Sequence, residues 1–421
     1  MSGLRSTDTD VATSTGLRDR YAVVGVGETD YSRASGRTTR TLAVQAIQSA
    51  MADAGLGPND VDGMLSHAMG DSTPSPLIAA DLGIRLNFFA DCVGGGASAE
   101  ALIGMAIGVI EAGMCHTVAV YRSMNGFTQT RTGGTGARTN TVIAGDDIHG
   151  RAQGWASPAQ IFAPVFLRHM HEYGTRPEQT AMVRVIHSRH AACNPKALYP
   201  KPVTIDDVLA SRMIATPLRL FDCCVETDSG TCLIVTDARR ARDLKRPPVL
   251  IRSAVGRVSK QRSDMHYQEG PITTTAGAHA AELLWRNSGL GPADVHLTGA
   301  YDAFTFTSLL LLEDYGFCRK GEGGAYVSDG TMQLGGRCPN NTSGGLLCEG
   351  YANGMNLLIE SVRQLRHDAD DDCPIMPDGM RQHSYDYSAA GRCRQVRGAE
   401  VAANLAWGNP GMGSALVLVK G

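Results

Sequence analysis

Residues 340–356 read NNTSGGLLCEGYANGMN, and the side chain in them best suited to chemistry is the phenol of Tyr351. The Gly344-Gly345 pair marks a tight turn. After it, Met355, Leu358, Ile359, Val362 and Leu365 follow the i, i+3, i+4, i+7 spacing of an amphipathic helix. A tyrosine where a glycine-rich loop enters a helix lies close to unpaired N–H groups and the positive end of the dipole. Such a place suits a group that must carry negative charge. A free phenol titrates near 10, so roughly 0.1% is ionised at pH 7, and lowering its pKa to about 7 takes on the order of 4 kcal/mol. The helix terminus supplies ~1 kcal/mol of that, so a further hydrogen-bond donor is required. The bland alternative is a packed ring with a satisfied hydroxyl.

Other reactive side chains carry weaker signals. The histidines of RHMHEYG and IHSRH have spacings that could ligate a metal on a helix, but no third ligand accompanies them, which favours surface or interface roles. Eleven cysteines are scattered without a CxxC pair, so neither a structural zinc site nor a redox dithiol is expected, and no metal is assigned. GVGETD lacks the third glycine of a dinucleotide fingerprint and reads as the turn after a first strand. The net charge of -3 argues against nucleic acid or a membrane surface as partner. Residues 1–20 lack an apolar signal segment and read as a disordered tail, and ALIGMAIGVI is too short to span a bilayer, so a cytoplasmic chain is expected.

The elements that must position these groups are repeated. GLGPNDV at 55–61 and GLGPADV at 289–295 each follow a helical stretch and precede a candidate strand, which points to a duplicated α/β unit. Gly94-Gly95-Gly96 leads into an apolar helix running to Gly113, as Gly344-Gly345 leads into one ending near Arg366. The spacing divides the chain into a first half, 21–255, carrying a loop domain at about 122–245, and a second half, 256–421. Within the loop domain one helix start stands out, Pro177. VAANLAW and SALVLV read as closing strands, and the acidic stretch 367–394 as a surface insertion.

With these blocks in place, the chain after residue 20 resembles the thiolase superfamily, whose fold is two α/β halves in a five-layer αβαβα sandwich. The four catalytic positions of that family fall on Gly96 in VGGGAS, Tyr301 in AYDAF, Tyr351 in EGYANG and Trp407 in AWGNPGMG. All four are changed. Glycine cannot attack a thioester, and an indole N–H only donates, so ordinary thiolysis is lost. The chain is similar, more closely, to the steroid side-chain-cleaving aldolases, through the glycine run, YDAFTFT with LEDYGFCRKGEGG, and NTSGGLLCEGY with NGMNLLIESVRQLR.

That resemblance implies retro-aldol cleavage of a β-hydroxyacyl-CoA, giving a ring ketone and a short acyl-CoA, typically propionyl-CoA. Coenzyme A enters as part of the substrate and no cofactor is implied. The resemblance also implies a small OB-fold, zinc-ribbon partner of the domain-of-unknown-function-35 type, with a homodimer inside a heterotetramer. Tyr351 is then the proton acceptor and Tyr301 its hydrogen-bond partner or the acid that quenches the enolate, or the two roles are exchanged. Gly95, Gly96, Gly344 and Gly345, with Asn341, are candidates for holding the thioester oxygen or the substrate. Basic residues around Arg252 to Arg262 could meet CoA phosphates, or form a solvated face. Two other functions compete: a degenerate thiolase or acyltransferase using Cys92, four residues before Gly96, and a non-catalytic scaffold that binds CoA esters. Cys223-Cys224 reads as a structural strand segment.

Overall fold

The two GLGP segments fold alike because the same atoms serve each. Gly55 (φ 73) and Gly289 (φ 71) end their helices, Thr39–Ala54 and Ala276–Ser288, in the left-handed conformation that glycine adopts without strain. The carboxylates of Asp60 and Asp294 then accept the N–H groups of Gly57 and Gly291, closing matching one-turn helices. This computed structural model describes residues 14–68, 70–129, 152–154, 157–259, 270–369, 393–408 and 411–421.

The first half contributes β1 (Tyr21–Glu28), β2 (Gly63–Ala68), β3 (Phe88–Val93), β4 (Thr117–Asn125), a small hairpin of β5 (Met213–Ala215) and β6 (Leu218–Arg219), and β7 (Asp228–Asp237). The second contributes β8 (Val249–Ser259), β9 (Leu297–Ala300), β10 (Val401–Trp407) and β11 (Met412–Lys420). The main strands run in the order β3-β2-β4-β7-β1-β8-β11-β10-β9. Apart from the extra edge strand β3, which pairs parallel to β2, the order is symmetric about β1 and β8. Each side has a parallel pair (β2 with β4, β9 with β10) followed outward-to-inward by two antiparallel pairings. Within the sheet, the described residues of the two halves pair through Ala22↔Leu250 and Val23↔Val249.

Alternation along the strands separates the layers. In β1, Ala22 and Val24 pack on the Thr39–Ala54 helix, while Tyr21 and Val23 face a central core with Leu102, Ile103, Leu358 and Ile359. The helices Ala99–Glu111 and Met355–Arg366 therefore lie between the two sections of sheet, and Ala276–Ser288 and Thr305–Asp314 pack on the outer face of the second section. This is the expected five-layer arrangement.

Several boundaries differ from expectation. Residues 14–20 are not a free tail: Ser14–Leu17 forms a 3-10 turn and Asp19 pairs with Arg252 at 2.7 Å. Both β4 and β7 belong to the sheet, so the insertion between them spans 126–227 rather than 122–245. It holds a helix that the sequence hid, Pro158–Tyr173, because Pro164 lies inside it. In the second half, the stretch after Gly344 is two helices, Gly345–Cys348 and Met355–Arg366, separated by a loop in which Asn353 (φ 52) and Gly354 (φ 88) take the left-handed conformation. Residues 370–392, most of the expected surface insertion, lie outside the described residues.

Candidate active site

Tyr301 follows the end of β9, where its N–H donates to Leu405 O at 2.9 Å. Tyr351 lies in the loop between the two helices of the second half, clamped by Thr227: Tyr351 N donates to Thr227 Oγ1 (3.0 Å), which donates to Tyr351 O (2.9 Å). These anchors come from different parts of the chain. They bring the two phenol oxygens within 2.9 Å of each other, with only 4% and 8% of the side chains exposed.

A chain of hydrogen bonds supports Tyr351 from behind. Asn353 Nδ2 donates to the Tyr351 hydroxyl (2.8 Å), and Arg122 Nε donates to Asn353 Oδ1 (3.0 Å). Arg122 Nη2 pairs with Asp71 at 2.6 Å, and its Nη1 donates to Ser123 O at 2.8 Å. Arg122 is 1% exposed, so it acts in a poorly screened environment. Burial nevertheless pushes the Tyr351 phenol above its ordinary value, with the hydrogen bond from Tyr301 and the Arg122 charge opposing the rise. Burial also raises Tyr301, and the Tyr351 oxygen adds to that rise. The depressed phenol expected from the helix terminus is therefore corrected: burial holds both phenols above their ordinary value.

The pair faces a cavity of ≈ 540 Å³ walled mainly by Phe162, Phe304, Phe221, Ile161 and Trp407. That volume suits a small organic ligand, and the lining is apolar with a few polar groups. Gly95 and Gly96 are in the wall, and among the described residues their N–H groups make no hydrogen bond. Gly96 is more than an absent nucleophile. A Cβ there would stand 2.6 Å from Tyr301 Cζ and 3.0 Å from Trp407 O, so the tyrosine ring occupies the space a side chain at 96 would need. Trp407 packs edge-on against Phe162 at 4.7 Å.

Other expected site residues are placed elsewhere. Gly344 and Gly345 do not line the cavity: a Cβ on the first would strike Ala191, and one on the second the Asp302 carboxylate. Asp302 already accepts Leu346 N at 2.9 Å, which occupies this helix start. Asn341 is also away from the wall. Its amide bridges Ala300 N (2.9 Å) and Ala300 O (2.8 Å), completing the backbone pairing beside β9. Cys92 lies on β3 at the sheet edge, outside the cavity lining.

Conversely, Cys223 and Cys224 line the cavity rather than a strand, and burial holds the Cys223 thiol up at about 12, far from a reactive thiolate. His169 and His187 are buried fasteners, to Glu313 and to Asp302, each at 2.9 Å, not surface groups. Arg257 donates to Val93 O at 2.7 Å, and residues 260–262 lie outside the described residues. Arg122 and Asn353 were missed because nothing in YRSMN or GYANG marks them. Only the doublet of Asn353 with Gly354 hinted at a left-handed turn.

Comparison with known proteins agrees with this architecture. Residues 258–375 match the thiolase C-terminal domain-like family. The chain is 41% identical over 359 residues, 83% of its length and 92% of the relative's, to a 17-hydroxy-3-oxo-4-pregnene-20-carboxyl-CoA lyase of Mycobacterium tuberculosis. It is 38% identical to a steroid side-chain-cleaving aldolase of Thermomonospora curvata, covering 82% of this chain and 90% of that one. An acetyl-CoA acetyltransferase of Methanothermobacter thermautotrophicus shares 31% identity, over 84% of this chain and 92% of that one. Among solved structures, the Ltp2-ChsH2(DUF35) aldolase superposes with a TM-score of 0.83 at 34% identity, over 96% of this chain and 98% of that chain. The chain belongs to the thiolase superfamily, within its group of steroid side-chain-cleaving aldolases.

Proposed function

We propose that this chain cleaves a steroid β-hydroxyacyl-CoA by a retro-aldol reaction in which Tyr301 and Tyr351 pass protons between them. The observation that carries this is the contact of 2.9 Å between two buried phenol oxygens beside a Gly96 that can offer no nucleophile. The relatives named as a 17-hydroxy-3-oxo-4-pregnene-20-carboxyl-CoA lyase and a steroid side-chain-cleaving aldolase support the substrate class.

Two neutral phenols suffice if the protons move in sequence. Tyr301 gives its proton to the α-carbon and is refilled by Tyr351, which takes the proton of the β-hydroxyl. As the hydroxyl oxygen becomes a ketone, the Cα–Cβ electron pair departs onto the thioester enolate and ends in the new C–H bond. One O–H and one C–C bond break, one C=O π bond and one C–H bond form, and both tyrosines end as they began. Among the described residues the N–H groups of Gly95 and Gly96 have no hydrogen-bond partner, which supports them as donors to the enolate oxygen. No covalent acyl-enzyme is needed, and coenzyme A enters only as part of the substrate.

The Ltp2-ChsH2(DUF35) aldolase is the basis for inferring a DUF35-type partner here. A homodimer within that assembly is consistent with β3 as an edge strand exposing Phe89 (49%) and Val93 (81%). Among the described residues no helix is long and apolar enough to cross a membrane. The test is to combine the chain with its DUF35-type partner, supply a steroid CoA ester bearing a tertiary β-hydroxyl, and analyse products. A ring ketone and a short acyl-CoA, propionyl-CoA for a three-carbon side chain, are expected. An acyl group trapped on Cys92 would instead support an acyltransferase, and tight binding without turnover would support a scaffold.

A further inference from the structure

The phenol pair is symmetric in chemistry but not in surroundings. Arg122 can only donate, so its Nε–H fixes Asn353 Oδ1 as the acceptor and turns Nδ2 toward Tyr351. Asn353 is held for this by its left-handed backbone (φ 52) and by burial, with 2% exposed. The Tyr351 oxygen thus receives an N–H donor in addition to its contact with Tyr301; the same amide also favours the ionised form of Tyr301, so the bias toward Tyr351 rests on the direct 2.8 Å contact and on the Arg122 charge. The groups that act electrostatically on Tyr351 come from four separate segments: Cys224 before β7, Tyr301 after β9, Arg122 on β4 and Asp71 in the loop after β2. Among them Arg122 is the cation, and Asp71 moderates it.

We propose that Asp71, Arg122 and Asn353 form a polarising chain that makes Tyr351 the oxygen able to take on negative character, and so sets which phenol collects the hydroxyl proton and which protonates carbon. These are positioning residues, because they act on the substrate only through Tyr351, and the proposal rests on the proton-carrying roles given above. Two nearly isosteric single-charge changes pull the chain in opposite directions. Asn353→Asp keeps the side-chain size and tolerates a positive φ, but sets a carboxylate against the phenol in place of an N–H donor. Asp71→Asn leaves the Arg122 charge less neutralised.

The test replaces Tyr351 with 3,5-difluorotyrosine, whose phenol titrates within the range where proteins stay folded, and follows its 19F resonance with pH in the complex without substrate. Relative to the otherwise unchanged protein, Asn353→Asp should raise the midpoint and Asp71→Asn should lower it, each by roughly a pH unit. With Tyr351 unmodified, Asn353→Asp should also lower kcat by about 100-fold with little change in KM. Midpoints that do not move, or that move in the same direction in both variants, overturn the proposal. So does a parallel fall in kcat for both variants that merely tracks their melting temperatures. The titration needs no turnover, so it stands apart from the aldolase reading, which fails separately if the unmodified complex releases no ketone.

Discussion

The two glycine turns at the centre of the molecule start from the same plan and end in opposite states. In the first half, Gly94–Gly96 enters the Ala99–Glu111 helix with its N-cap, Ser98, making no side-chain capping bond, and with Gly95 and Gly96 open to the cavity. In the second, the turn at Gly344-Gly345 is sealed. The Asp302 carboxylate accepts Leu346 N at 2.9 Å and lies 2.9 Å from His187 Nδ1. The duplicated scaffold thus leaves one helix entrance open to the cavity and closes the other with the Asp302 carboxylate. A helix start is a donor site only while nothing in the protein has taken its N–H groups.

If that division is correct, the largest losses come from the residues facing the open turn. Tyr351→Phe and Tyr301→Phe delete one hydroxyl each and keep the rings. Each should lower kcat by ~10³-fold, measured by steady-state ketone release, with melting temperatures little changed. Parental rates in both would end the phenol mechanism. Gly96→Cys, which puts a thiol at a position that the superfamily uses for catalysis, should fail for a steric reason. The new Cβ would stand 2.6 Å from Tyr301 Cζ, so a stability loss of about 2 kcal/mol is expected, with no acyl-enzyme detectable by mass spectrometry. Because glycine at 96 and tyrosine at 301 share one space, Gly96→Ala and Tyr301→Ala should be non-additive, the second relieving the strain of the first.

The closed turn should respond in stability more than in chemistry. Asp302→Asn keeps the shape but weakens the charge-assisted acceptance of Leu346 N and the contact with His187, at a cost of about 2 kcal/mol by denaturant unfolding. The matching change at the open turn, Ser98→Ala, should cost ~0.5 kcal/mol or less, since Ser98 Oγ is buried without a protein partner. Equal costs at the two turns would erase the distinction between them.

Much of this was legible in the chain itself. The GLGP repeats announced the duplication because a left-handed glycine and a proline-led turn leave a fixed local signature. Tyr301 and Tyr351 were found because they stand where a known family keeps other residues. What failed was whatever depended on distant partners. Gly344, Gly345 and Asn341 looked like ligand donors because their local pattern says only that N–H groups and amides are present. That Asp302 takes Leu346 N at this helix start, and that Ala300 takes the Asn341 amide, are long-range facts. Arg122 and Asn353 were invisible for the same reason: they are 231 residues apart in sequence. The helix at Pro158–Tyr173 was lost to Pro164, a residue that normally argues against a helix interior.

The smallest expected effect concerns a carboxyl that each half buries after its glycine turn. Glu100, in the first turn of the open half's helix, is pushed up to about 7 by burial, relieved in part by its own backbone and by Ser414. Glu349, just past the closed half's short helix, is pushed up to about 8 by burial and by Glu28 and Glu360, although Asn356 and Ser343 donate to it. An unfolded glutamate titrates near 4.3, so the native state holds these protons over a pH range in which the unfolded chain has released them. Their contribution is most favourable below about 4.3 and declines with rising pH, until about 7 for Glu100 and about 8 for Glu349. Neighbouring Glu28 behaves oppositely: burial would raise it, but Arg363 and Lys196 hold it down to about 2, so its support is lost only as acid is added below about 4.3. Glu349→Gln should therefore flatten the decline in melting temperature between pH 5 and pH 8 by about 2 °C, and Glu100→Gln should flatten it by less and stop mattering about one pH unit earlier. A Glu349→Gln variant whose melting curve keeps the parental slope would mean that Glu349 is ionised across that range, and that the closed turn is held by a charge rather than by a proton.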